Sequence, residues 1–199
     1  MDTKAMFAIS YGLYVLGVND GDHPSGCIIN TASQLCDTPA TISVTVNKAN
    51  HTHDVLLKTK EMTLSVLDES VPFNVFERFG FQSGKDVHKF EGYDNYDVLD
   101  DGTPYLTKHA NAYISGKVVK TVDLPTHTLF IIEVSDAKVL NDMSSVTYDY
   151  YFKHIKPAPV KKKGWVCKIC GYGYEGDELP ADFICPLCKH GAADFEPIG

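Results

Sequence analysis

The sequence predicts a mainly β domain followed by a small four-cysteine metal-binding domain. Three observations carry that expectation. Runs rich in Val, Ile, Thr and Tyr recur between turn clusters over residues 1–155. A Pro- and Lys-rich stretch at 156–163 then breaks the pattern. Beyond it, Cys167, Cys170, Cys185 and Cys188 crowd together, while Cys27 and Cys36 stand apart. The expected division is a first domain at 1–155, a linker at 156–163 and a second domain at 164–199.

Taken in order, the strand candidates are SYGLYVLGVN (residues 10–19), SGCIINTA (25–32), ATISVTVNK (40–48), MTLSVLDE (62–69), NAYISGKVVKTV (111–122) and HTLFIIEVSDAKVL (127–140). Turn clusters separate them: Asn19-Asp20-Gly21-Asp22, Cys36-Asp37-Thr38-Pro39 and Asp100-Asp101-Gly102. Some runs are apolar on both faces and others alternate, which suits a closed or heavily covered antiparallel barrel. Two short helices are expected. One starts near Asn50-His51-Thr52, whose polar side chains can cap HDVLLKT. The other is VPFNVFERFG, with Pro72 in its first turn and Gly80 after its last. The aromatic wealth of that segment reads as core before cofactor box. The linker has little to pack, and its eight residues in extended form would reach about 25 Å.

Composition narrows the function. The formal net charge of -8 argues against nucleic acid held through its phosphates. No apolar run is long enough to span a bilayer, so no membrane partner is expected. The opening MDTKAMFAIS lacks the basic region and apolar core of a secretory signal, which makes the cytoplasm the expected compartment. Thiols stay reduced there, so clustered cysteines point to metal and not to disulfides. His51 and His53 stand one residue apart with no third ligand evident, and Cys27 and Cys36 read as small structural thiols.

Two Cys-x-x-Cys pairs flank residues 171–184. In each pair a tight turn can place both thiolates on one ion, with main-chain N–H groups aimed at the sulfurs. Two facing turns give a tetrahedral all-sulfur site that suits iron or zinc. A structural zinc ribbon has the same spacing. The flanking residues favour iron. Trp165, Gly171-Tyr172, Leu179-Pro180, Asp182-Phe183, Cys185-Pro186-Leu187-Cys188 and Phe195 together resemble rubredoxin over residues 164–198. That resemblance implies one iron held by Cys167, Cys170, Cys185 and Cys188, with the aromatic residues packed beside it. Two features depart from the family. The stretch between the pairs is shorter than in free-standing rubredoxins, and Lys189 stands where glycine is usual. If that position needs positive φ, the lysine adds strain on the order of 1 kcal/mol. The string at 171–176 also fits G-x-G-x-x-G, but between metal-ligand pairs there is no room for the βαβ unit of a dinucleotide site.

An iron that takes one electron needs a donor. The succession YVLGVN, INTAS, a Pro-led strand ending in VNK, NHTH at a helix start and GFQSGKDVHKF resembles the FMN-binding split barrel of flavin reductases and flavoredoxins. The resemblance implies a flavin, FMN, with Asn30, Thr31, Ala32 and Ser33 along its ring edge. It implies a phosphate and ribityl cradle from Asn47, Lys48, Asn50, His51 and Thr52. It places a loop from Phe81 to Lys89 nearby, with Lys85 and His88 as polar candidates. It further implies a homodimer and NAD(P)H bound transiently against the flavin.

Joined in one chain, the two modules resemble high-molecular-weight rubredoxins. The layout implies a hydride from NAD(P)H to the flavin, single electrons to the iron, and delivery to an acceptor such as a flavodiiron-type oxygen or nitric oxide reductase. Glu175, Asp177, Glu178, Asp182, Asp194 and Glu196 outnumber Lys168 and Lys189 in the second module, which favours a basic partner. The competing expectations are a flavin-binding protein with a structural zinc ribbon, and a barrel that holds haem or nothing.

Overall fold

The computed structural model describes residue 5 and residues 8–21, 23–157 and 164–198. Most of the N-terminal stretch read for export, Asp22 of the first turn cluster, linker residues 158–163 and the final Gly199 lie outside the described residues.

β1 (Tyr14–Asn19) and β2 (Pro24–Ile29) form the first hairpin, and β3 (Ala32–Asp37) and β4 (Ala40–Asn47) the second. Helix α1 (His51–Thr59) leads into β5 (Glu61–Leu67). α2 (Phe73–Phe76) runs on into a π-helical turn, Glu77–Phe81. Two short strands, β6 (Tyr96–Val98) and β7 (Pro104–Leu106), pair with each other. The long strands β8 (Ala110–Asp123) and β9 (His127–Val139) close the domain's sheet, and α3 (Tyr148–Tyr150) continues as a π-helical turn, Tyr151–Ile155. Among the described residues the main sheet has seven strands in the order β2-β1-β5-β8-β9-β4-β3, all antiparallel.

The sheet buries both faces of its central strands, as their doubly apolar sequences require. On β1, Leu16 and Val18 point into one core with Val44, Val46, Leu56, Met62, Leu64, Phe130 and Ile132. Val15 points the other way, into a second core with Leu67, Val75, Phe76, Phe79, Leu106 and Tyr151. The first core fills the coiled sheet and is stoppered by α1. The second packs α2, the β6–β7 hairpin and α3 against the outside. The aromatics of VPFNVFERFG are therefore core: Phe76 and Phe79 are buried.

Several boundaries differ from the sequence reading. The second strand ends at Ile29, and Ala32 starts a separate strand whose polar sequence, ASQLCD, is exposed over most of its length. Cys36 and Asp37 belong to that strand, leaving Thr38-Pro39 as the turn. Gly80 falls inside the helical turn and not beyond it.

The four-cysteine domain centres on β10 (Gly164–Cys167), flanked by β11 (Gly173–Tyr174) and β12 (Phe195–Ile198). Trp165, Tyr172, Tyr174, Leu179, Phe183 and Phe195 pack around the cysteines. Phe183 sits edge-on to Tyr174 and Phe195, with ring centroids 4.8 and 5.3 Å away. Among the described residues no helix is long and apolar enough to cross a membrane.

Candidate functional site

The sulfurs of Cys167, Cys170, Cys185 and Cys188 all lie within 4.8 Å of one another. Cys167 and Cys188 sulfurs are 3.5 Å apart, as are those of Cys170 and Cys185. Four sulfurs about 2.3 Å from one ion stand roughly 3.8 Å apart at tetrahedral corners, so this set fits a single metal ion.

The backbone explains the gathering. In one turn Cys167 N–H donates to Tyr172 O and Gly171 N–H to Cys167 O, both at 2.8 Å. In the other, Cys185 N–H donates to His190 O at 2.8 Å and Lys189 N–H to Cys185 O at 2.9 Å. The two turns are thus built alike. N–H groups of Tyr172, of Leu187 and Cys188, and of His190 bond the sulfurs of Cys170, Cys185 and Cys188, which spreads thiolate charge into the backbone. The matching left-handed positions are Gly171, at φ 83°, and Lys189, at φ 61°. The lysine does occupy the glycine-type conformation.

A cavity of about 530 Å³ lies between this module and the barrel. On the barrel side it is lined by Cys27, the segment Asn47, Ala49, Asn50, His51 and Thr52, and the loop from Gly80 to Lys89. On the other side stand Ile169, Cys188, Lys189 and His190. Phe81 bridges the two, because it also packs against the cysteine cluster. A second chamber of about 330 Å³ shares His51, Gly84 and Lys89 and adds Asp20, His23, Lys85 and His88. There His51 Nε2 pairs with Asp20 Oδ2 at 2.7 Å, and the His23 and His88 rings lie 4.2 Å apart.

The sequence-predicted residues divide accordingly. Asn47, Asn50, His51, Thr52 and Phe81 meet in the first chamber, Lys85 and His88 in the second. Ala32 and Ser33 instead line an apolar groove of about 390 Å³ on the sheet, with Tyr14, Ile42, Leu64 and Ile114. Thr31 Oγ1 donates to Thr45 O at 2.7 Å, pinning the start of β3 to β4, and Asn30 lies half-buried at the preceding bend. Lys48 pairs with Asp123 at 2.7 Å and is not among the residues lining either chamber. Helix α1 begins at the first cavity, and its Asn50 cap makes no side-chain capping bond. Its first-turn N–H groups are then free of a side-chain cap, an arrangement suited to an anion.

Lys89 is the residue that the sequence reading passed over. It is 5% exposed and lines both chambers. Its Nζ donates to Phe79 O at 3.1 Å, using one of three donors. Burial lowers its pKa from the usual range, against a counter-pull from Cys27. A buried ammonium at the mouth of a helix N-terminus favours an anionic ligand. Neighbouring Phe90, buried at 3%, explains the burial: the loop is anchored by that ring. Alternating Lys89-Phe90 after Lys85 gave no local sign of it. A polar, cation-bearing cradle that also presents Cys27, Phe81 and Ile169 fits the phosphate, chain and ring of a flavin nucleotide.

These features define an oxidoreductase of the flavin reductase type with an attached four-thiolate iron module. Residues 6–159 match the flavin reductase like domain, and residues 165–196 match the rubrerythrin, rubredoxin-like domain. The chain belongs to the high-molecular-weight rubredoxin family: it is 36% identical over the full length of both chains to a high molecular weight rubredoxin of Moorella thermoacetica. It is also 41% identical over 152 residues to a ferric-chelate reductase (NAD(P)H) of Archaeoglobus fulgidus, covering 76% of this chain and 89% of the relative. Among solved structures, an NADH:FAD oxidoreductase of Streptomyces globisporus shares the fold, with TM-score 0.64, 21% identity, and coverage of 72% of this chain and 83% of that one. The two domains carry a flavin and one iron.

Proposed function

We propose that this chain takes electrons from NAD(P)H onto FMN held in the barrel–module cavity and releases them singly through the iron to an acceptor protein. One observation supports this most: the cavity that gathers Asn47, Asn50, His51, Thr52, Phe81 and Lys89 is walled on its far side by Cys188. A flavin seated there would lie directly against a ligand of the iron. FMN accepts two electrons as a hydride and passes them on one at a time, which a nicotinamide cannot do.

The residues have separable tasks in this reading. Lys89 and the N-terminal N–H groups of α1 hold the phosphate, and Asn47, Asn50 and Thr52 the ribityl chain. Phe81 and Ile169 exclude water between the two centres. Cys167, Cys170, Cys185 and Cys188 keep the iron's coordination fixed, so that electron transfer makes and breaks no bond. Lys85 in the adjoining chamber offers a cation, and His88 and His51 ring nitrogens, for the phosphates of NAD(P)H. Ala32 and Ser33, in the separate groove on the sheet, and Asn30 and Thr31, just before β3, take no part in holding the flavin in this reading. The acidic module then meets a basic partner, a flavodiiron-type oxygen or nitric oxide reductase. Exposed Leu35 on the edge strand β3, with exposed Val119 and Val139 on the long inner strands β8 and β9, supports a homodimer. Reduced, metal-holding thiols support a cytoplasmic setting.

Anaerobic titration of the purified protein tests the reading. NADH or NADPH is expected to bleach both a flavin band and the visible thiolate-to-iron absorption. Colourless protein with one bound zinc, or iron that NAD(P)H leaves oxidised, would sink it.

A further inference from the structure

We propose that Lys156 is a latch that seats the iron module on its own barrel and favours the reduced iron. The inference rests on the reading of the module as an iron centre overhanging the flavin cavity. The sequence alone places Lys156 at the head of a solvated linker. In the structure it is half-buried, and its ammonium reaches across the domain boundary.

Lys156 directly follows the last turn of the barrel domain, and its N–H caps that turn by donating to Tyr151 O at 2.8 Å. Its Nζ donates to Lys168 O at 2.8 Å and to Ile169 O at 3.2 Å. These are the two carbonyls between Cys167 and Cys170. The same ammonium lies 4.8 Å from the centroid of the Phe152 ring. One side chain therefore ties the barrel's last helix to the first metal-binding turn. The second turn, through Cys188, is the one that walls the cavity. Latching the first turn fixes how the second faces the flavin pocket.

Chain connectivity favours docking within one chain. Pro157 and Gly164 are seven Cα–Cα steps apart, a reach of at most about 25 Å. That tether keeps the module at high effective concentration over its own barrel, so one charge-assisted contact suffices to select an orientation.

The charge has a second consequence. One ferric ion with four thiolates carries one net negative charge, and two after it gains an electron. The Lys156 ammonium sits against the backbone between two of those thiolates, so it stabilises the more negative, reduced state.

The test compares the iron-loaded wild type with K156M and K156R, using dithionite and mediator dyes for the redox titration and small-angle scattering for shape. K156M is expected to scatter as a more extended particle. Its preference for reduced iron should fall about threefold, a shift of roughly 30 mV to lower potential at 59 mV per decade. K156R keeps the cation and should restore both toward wild type. Unchanged scattering or an unmoved potential in K156M would overturn the proposal. Neither readout uses NAD(P)H, so a failure of the latch is distinguishable from a failure of nicotinamide-driven reduction.

Discussion

Three lysines show how environment assigns different work to one side chain. Lys89 is buried with one donor used, Lys189 is held at φ 61°, and Lys156 bridges two domains. Replacing Lys89 with Met removes the cation expected to meet the flavin phosphate. Flavin affinity should fall about 10- to 100-fold, at 1.4 kcal/mol per decade, as read by fluorescence on titrating FMN into the apoprotein. Folding stability of the apoprotein should hold or rise, because a desolvated ammonium is lost. Unchanged affinity would place the phosphate elsewhere. Lys189→Gly should stabilise the metal-loaded module by about 0.5–1 kcal/mol, since glycine adopts the left-handed conformation without a Cβ penalty but gains unfolded-state entropy. Chemical unfolding followed by the fluorescence of Trp165, the single tryptophan, measures it. At this scale the two Cys-x-x-Cys turns and the left-handed Lys189 were legible in sequence, because each is set by spacing within one turn. The roles of Lys89 and Lys156 were not, since each depends on partners supplied by the fold.

Elements followed their sequence signals where one face of the pattern was decided by burial. The six β-branched runs became β1, β2, β4, β5, β8 and β9. β3 escaped notice because it is polar and exposed, and is held mainly by its ladder to β4. β6 and β7 are too short to show a period. Their position still matters to the sheet. Thr63 Oγ1 on β5 donates to Pro104 O, and a Cβ on Gly17 of β1 would collide with both of those oxygens. Gly17→Ala should therefore destabilise the barrel by about 2–3 kcal/mol, by overpacking and by loss of that buried bond. Thermal unfolding of the apoprotein checks it. A loss below about 0.5 kcal/mol would mean the β6–β7 hairpin moves aside at little cost.

The whole molecule places two redox modules so that one wall of the barrel's polar cavity is a metal-ligand turn. No stretch of sequence could announce that cavity. Its lining comes from residues 27, 47, 49–52, 80–84, 86, 89, 169 and 188–190, segments brought together only by the antiparallel sheet and the docking of the second domain. The resemblance of each module was readable separately, yet the face they share was not. That geometry has a kinetic consequence. If the flavin cavity and Cys188 belong to one docked unit, transfer from flavin to iron is a first-order event within a single chain. Rapid anaerobic mixing of the FMN- and iron-loaded protein with NADH or NADPH measures this directly. Bleaching of the iron absorption should follow flavin reduction with a rate that does not change over a hundredfold range of protein concentration. A rate that climbs in proportion to protein concentration would contradict transfer within the chain.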